Sequence, residues 1–149
     1  MTTFYFGNGE EMVPAHRHEN GGGWVADTAY VADTAYVGPN ALVSGNAKVY
    51  GNALVYGYAR VSGDAKVFGN AWVYGDAKVF GNAQISKSFT AIVRSDGYTF
   101  IYVPCADGIK RIIAGCRYFT MEEARAHWST TRGGTPLGDE TMKILDFFA

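Results

Sequence analysis

The chain has 149 residues, one domain's worth, and its 48% apolar content without any three-residue glycine period excludes both disorder and a collagen triple helix. Thirteen basic and fourteen acidic residues leave a net charge of −1, which fits neither a duplex-binding surface nor an acidic DNA mimic. Two cysteines are too few for a disulfide framework. With no basic-then-apolar start and no long apolar run, a soluble cytoplasmic protein without a membrane or nucleic-acid partner is expected.

Residues 1–23 carry Phe4-Tyr5-Phe6, the acidic pair Glu10-Glu11, and His16-Arg17-His18 ahead of Gly21-Gly22-Gly23. They precede a repeat whose first coil would expose an open strand edge, so they are expected to cap it. His16 and His18 have the spacing of two metal ligands on one strand face, but two ligands do not make a zinc site, and surface or capping roles are favoured. The glycine run precedes a strand, the wrong order for a phosphate loop.

Residues 24–88 are a repeat. Val occupies positions 25, 31, 37 and every sixth residue to 79, with Ile85 continuing the series, and Ala occupies 29, 35, 41 and every sixth residue to 83. The unit is Ala-x-Val-x-Gly-Asn/Asp, without insertion or deletion. An extended chain points Ala and Val to one face, and Gly-Asn or Gly-Asp supplies a corner that tolerates positive φ. An antiparallel meander is excluded, because two-residue hairpins would flip the Val/Ala set at every turn. A chain that bends the same way at each corner keeps that set inside, and three bends make an 18-residue triangular coil.

These hexads resemble the hexapeptide repeat of left-handed parallel β-helix proteins. The likeness covers about 65 residues. The resemblance implies a mainly β fold, a single-stranded left-handed parallel β-helix; handedness comes from it alone. Relatives of that kind include acyltransferases and γ-type carbonic anhydrases, whose catalytic histidine or three-histidine zinc site lies on the coils or an inserted loop. Here no histidine lies between Val25 and Ile85 and no loop interrupts the hexads, so those residues have no positions to be carried onto.

Residues 18 apart should stack into ladders on three faces. One carries Tyr30, Lys48, Lys66 and Gln84 with Tyr50 and Phe68; another carries Trp24, Leu42, Arg60 and Lys78. The third carries Tyr36, Leu54 and Trp72 with Gly38, Tyr56 and Tyr74, and has no charge. A flat apolar face of this kind marks an interaction site. Three occupants are open: the chain's own C-terminal segment, the same face of a second subunit, or a sugar or base stacked on the rings.

From Phe89 the hexads stop, and residues 89–149 read as a small α+β domain. Strands are expected over 89–94, 98–105 and 109–116, split by Ser95-Asp96-Gly97 and Ala106-Asp107-Gly108, with Cys105 facing Lys110 and Cys116 near Thr99. Thr120 and Glu123 form a capping box for a helix running to about Trp128. After a loop over 131–136, a second helix from Asp139 to Phe148 carries Met142, Leu145 and Phe148 along one stripe. The tail is expected to close the final coil or cover an apolar face. Its phrase GCRYFTMEEARAHW, followed by GTPLGDE, loosely resembles the C-terminal segment of phage and prophage proteins with such hexads.

Cys116, Arg117 and His127 have the chemistry of a thiol nucleophile with a base, set against a plain thiol ending a strand and a helix-end histidine. No catalytic residue, metal site or cofactor is assigned. The expected function is a non-catalytic homodimeric binding or assembly protein acting on a protein partner, such as a host factor if the chain is phage-encoded. The interaction face is Tyr36, Leu54, Tyr56, Trp72 and Tyr74. A glycan-binding module on those rings and a degenerate acyltransferase-like or carbonic-anhydrase-like enzyme are the alternatives.

Overall fold

The computed structural model describes residues 2–7, 11–86 and 91–149. Glu10 and residues 87–90, which hold the expected repeat–tail boundary and the start of the first tail strand, lie outside the described residues. Strands β1 (Thr3–Phe4) and β2 (Val13–Arg17) precede eleven short rungs. These are β3 (Trp24–Ala26), β4 (Tyr30–Val31), β5 (Tyr36–Val37), β6 (Leu42–Val43), β7 (Lys48–Val49), β8 (Leu54–Val55), β9 (Arg60–Val61), β10 (Lys66–Val67), β11 (Trp72–Val73), β12 (Lys78–Val79) and β13 (Gln84–Ile85). Then come β14 (Ala91–Val93), β15 (Thr99–Val103), β16 (Arg111–Ala114), β17 (Arg117–Thr120), and helices α1 (Met121–Arg132) and α2 (Pro136–Phe148). The fold is mainly β, a parallel β-solenoid followed by an α+β tail.

The rungs build three parallel sheets, β3-β6-β9-β12, β4-β7-β10-β13 and β5-β8-β11. Each pairs residues 18 apart, as in Leu42↔Arg60, Lys48↔Lys66 and Leu54↔Trp72. Val37 and each later repeat valine to Val79 are fully buried, and so is nearly every alanine between them. Small side chains let three sheets meet around one axis at interior packing density.

Corners hold the coils together as much as sides do. Gly45, Gly51, Gly57 and Gly63 adopt φ of +62° to +68° and stack backbone on backbone. The amide that follows each donates to the carbonyl of the glycine one coil on, as in Asn46 N–H to Gly63 O at 2.9 Å and Tyr58 N–H to Gly75 O at 2.9 Å. In the first coil Asp27-Thr28 and Asp33-Thr34 replace the glycine corner. There the Thr28 and Thr34 hydroxyls donate to the carbonyls of Gly45 and Gly51, and no left-handed residue is needed.

The leading segment covers two sides of the first coil. Strand β2 runs antiparallel to β3, with Ala15↔Ala26 and Arg17↔Trp24 paired. The turn after it lies along β5, where Gly23 N–H donates to Val37 O and Val37 N–H to Asn20 O. A Cβ on Gly23 would stand 2.4 Å from Gly38 O, so the glycine run serves close backbone approach. Val31, on the uncovered side, is only half-buried.

The tail closes the other end. Ala83 bridges Cys105, Gln84 N–H donates to Pro104 O at 2.7 Å, and Ala106 N–H donates to Asn82 O at 2.9 Å. The sheet β14-β15-β16-β17 puts Ile101, Val103 and Ile113 onto the solenoid core and Phe100, Ile112 and Ala114 onto Ala124, Trp128, Ile144 and Leu145 of the helices. Side-chain alternation thus makes one sheet serve two cores. Tyr118 seals the joint: its hydroxyl bonds Asn82 and Cys105, and its ring stands where a Cβ on Gly81 would be.

Three expectations for the tail are corrected. It has four strands, because Gly115 (φ +58°) and Cys116 make a two-residue hairpin turn that sends Arg117–Thr120 back along β16. The β15–β16 register is one residue away from that expected: Val103 pairs with Arg111, whereas Cys105 facing Lys110 would have paired it with Ile112; Cys105 instead bridges Ala83, and Cys116 sits in the hairpin turn. Both cysteines are free, Cys105 buried and Cys116 exposed. The helices are longer, α1 reaching Arg132 and α2 starting at Pro136 behind the N-cap Thr135. The Thr120–Glu123 capping box is present.

Arg94 locks the first tail hairpin to α2. Its buried guanidinium grips Asp96 through two hydrogen bonds of 2.8 and 2.7 Å, donates to Thr141 Oγ1 at 3.0 Å, and lies over the Tyr98 ring. The hydrogen bond from Arg94 holds the Asp96 carboxyl at about 2, below its ordinary 3.8. A depressed carboxyl pKa stabilises the fold above about pH 4.

Two outcomes follow. Gly75→Ala, at φ +64° with open space around it, is expected to cost about 1 kcal/mol in urea denaturation, the strain of a Cβ at positive φ. Gly57→Ala, whose Cβ would also stand 3.0 Å from Gly75 N, is expected to cost about 2–3 kcal/mol; equal costs would show that the corners do not stack tightly. The Asp96 contribution is fully present above pH 4 and is lost as pH falls toward 2. The stability gap between wild type and Asp96→Asn should therefore close over that range in midpoint measurements at successive pH values.

Candidate functional site

The sheet β5-β8-β11 brings together the five residues expected to form an interaction face. Tyr36, Leu54 and Trp72 sit in register on successive rungs. Tyr56 and Tyr74, one residue past the paired valines, stack with centroids 5.6 Å apart and planes 17° from parallel. Trp72 is 48% exposed and Tyr74 40%, while Tyr36, Leu54 and Tyr56 are half-buried. Gly38 closes the row, since a Cβ there would meet the Tyr56 backbone at 3.3 Å. None of the six outward positions is charged.

The neighbouring face shows what happens when the chain covers itself. Phe4 stacks on Trp24 at 4.7 Å, and Arg17 lies over the same indole at 4.7 Å. Phe6, Ala15 and Ala26 form a small buried cluster there, with Leu42 packed against it, and Arg60 Nη1 donates to Phe6 O at 3.0 Å. The tail, in turn, docks on the solenoid end through Ile101, Val103 and Ile113. Trp72 stays open to solvent beside these two covered regions.

On the β4-β7-β10-β13 face Tyr50 and Phe68 stack at 5.2 Å beside the paired Lys48 and Lys66. Charge at that ladder sets it apart from the Trp72 face.

The histidine pair is not assembled as a chelate. His16 Nδ1 bonds Asp27 Oδ1 at 2.8 Å, while buried His18 donates from Nε2 to Ala35 O at 2.7 Å and pins the leading turn to the first coil. Among the described residues no three His, Cys, Asp or Glu side chains come together in a metal-holding group. Cys116 and His127 share no hydrogen bond: the thiol is exposed on the hairpin turn, and the imidazole packs on Phe119 and Trp128, each 5.0 Å away. Burial and then the charge of Arg117 hold the His127 pKa below its ordinary value.

No described helix is long and apolar enough to cross a membrane. Residues 47–63 and 59–75 match the family model of the YdcK beta solenoid repeat. Those two overlapping stretches are the central hexads, and the match carries a repeat architecture without an activity. No curated protein and no solved structure matches the chain. Coil register and family match agree on a β-solenoid repeat protein.

Proposed function

We propose that the chain is a non-catalytic binding protein that self-associates through Tyr36, Leu54, Tyr56, Trp72 and Tyr74 and, so assembled, acts on a protein partner. The observation that carries this reading is the uncharged face on which Trp72 is exposed to solvent, while the chain itself covers the Trp24 face and the solenoid end. A second copy is the simplest cover. A flat, uncharged row of rings is self-complementary, and a two-fold axis lets identical faces bury each other without unpaired charge. A sugar fits this face less well, because Tyr56 and Tyr74 stack on each other and take up ring surface that a pyranose would use.

The likeness of the tail to phage proteins makes a host factor the natural partner and the host cytoplasm the natural place. Acyltransferase or carbonic anhydrase chemistry lacks support, since the hexads hold no histidine.

Light scattering tests the assembly. Wild type is expected at twice the 16.2 kDa chain mass. Trp72→Glu with Leu54→Glu is expected at the single-chain mass with an unchanged circular dichroism spectrum. A monomeric wild type would sink the dimer. If the double variant misfolds, Trp72→Glu alone, at the more exposed position, makes the same distinction.

A further inference from the structure

The tail carries a concave site of its own, independent of the flat solenoid face. A cleft of about 560 Å³ opens where the turn between β14 and β15 meets β17 and the end of α1. Tyr98, Arg117, His127, Trp128, Thr131 and Arg132 line it, with the Arg94–Asp96 pair in its wall.

Its charges do not balance. The chain has seven arginines. Arg94, Arg111 and Arg125 are each paired with an aspartate, and Arg17 and Arg60 donate to backbone carbonyls. Arg117 and Arg132 are the two arginines without a hydrogen bond or ion pair among the described residues, and both line this cleft. The one carboxylate in the wall, Asp96, is taken by Arg94 through both oxygens. Neither ring nitrogen of His127 has a partner among the described residues, and burial first and the charge of Arg117 second hold its pKa below the ordinary value. Two unmatched guanidiniums in a concave surface concentrate positive potential where a solvated surface pair would dissipate it.

We infer that this cleft binds a phosphate-type dianion, held by the guanidinium forks of Arg117 and Arg132 with a hydrogen bond from His127. Two guanidiniums match two negative charges, whereas a single carboxylate would leave one of them uncompensated. The planar fork of arginine suits tetrahedral oxyanions, and the room beside Tyr98 accommodates the organic part of a monoester.

Isothermal titration calorimetry at low ionic strength tests this with three probes: inorganic phosphate, phenyl phosphate and acetate. Phosphate and phenyl phosphate are expected to bind and to shift the His127 ring resonances in NMR spectra; acetate at equal ionic strength is expected to do neither. Tighter binding of phenyl phosphate identifies an organic monoester as the ligand class, and equal binding identifies free phosphate. Arg117→Gln and Arg132→Gln should each weaken binding about tenfold, the loss of one charge-assisted contact. Lys48→Gln, on the solenoid, should leave it unchanged. The inference is overturned if phosphate and acetate bind alike, if neither phosphate probe binds, or if the two arginine variants bind as wild type does. Arg117→Lys guards against a folding artefact: it keeps the charge but not the fork, and should bind more weakly than wild type with unchanged stability.

Discussion

Every part of this protein depends on one constraint: each corner of the coil must turn the chain through the same angle. The glycines at positive φ meet it at bends where a side chain would strain the backbone and, from Gly45 to Gly63, strike the next coil. Because neighbouring corners also exchange amide-to-carbonyl hydrogen bonds, the bend is fixed by the same interaction that joins one coil to the next. Equal bends put valine over valine and alanine over alanine. They also put outward residues over outward residues, so the interior pattern and the surface ladders have a single cause.

Ends and faces then pose separate physical problems. At the leading end, β2 and the Asn20–Gly23 turn satisfy the edges of β3 and β5, and Thr28 and Thr34 supply the donors that glycine corners provide elsewhere. At the other end, a sheet with two apolar faces closes the core while anchoring two helices, which rescues a tail too small to bury much surface alone. The Trp24 face is covered by Phe4 and Phe6, and Trp72 is exposed on its own face. That asymmetry in one regular scaffold is what the proposed self-association rests on.

Legibility in the sequence followed the range of the interactions. The 18-residue register, the buried Val/Ala set and the aromatic ladders depend on a period printed in the chain, and the Thr120–Glu123 capping box depends on residues three apart. The strand β17 was hidden because Gly115-Cys116 is an unusual turn pair and the aromatic run after it sits against a strong helix start. Thr135-Pro136 did carry a legible helix-start signal, an N-cap followed by proline, which the surrounding glycines obscured. The cleft could not be read at all. Arg117 lies on a strand and Arg132 at a helix end, and only the packing of α1 against the tail sheet sets them around one cavity.

The specialised corners of the first coil and the Tyr118 seal on the last make the solenoid directional, with different devices at its two termini. Growth by duplication is therefore confined to interior coils and quantised. Adding 18 residues would lengthen the column by one strand spacing, about 4.8 Å, and extend every ladder by one rung while keeping the leading segment and tail in phase. Adding a single hexad would turn the tail through a third of a revolution relative to the leading segment. The uncharged aromatic face and the tail cleft would then point in new relative directions, so the number of hexads acts as a setting for the angle between two surfaces.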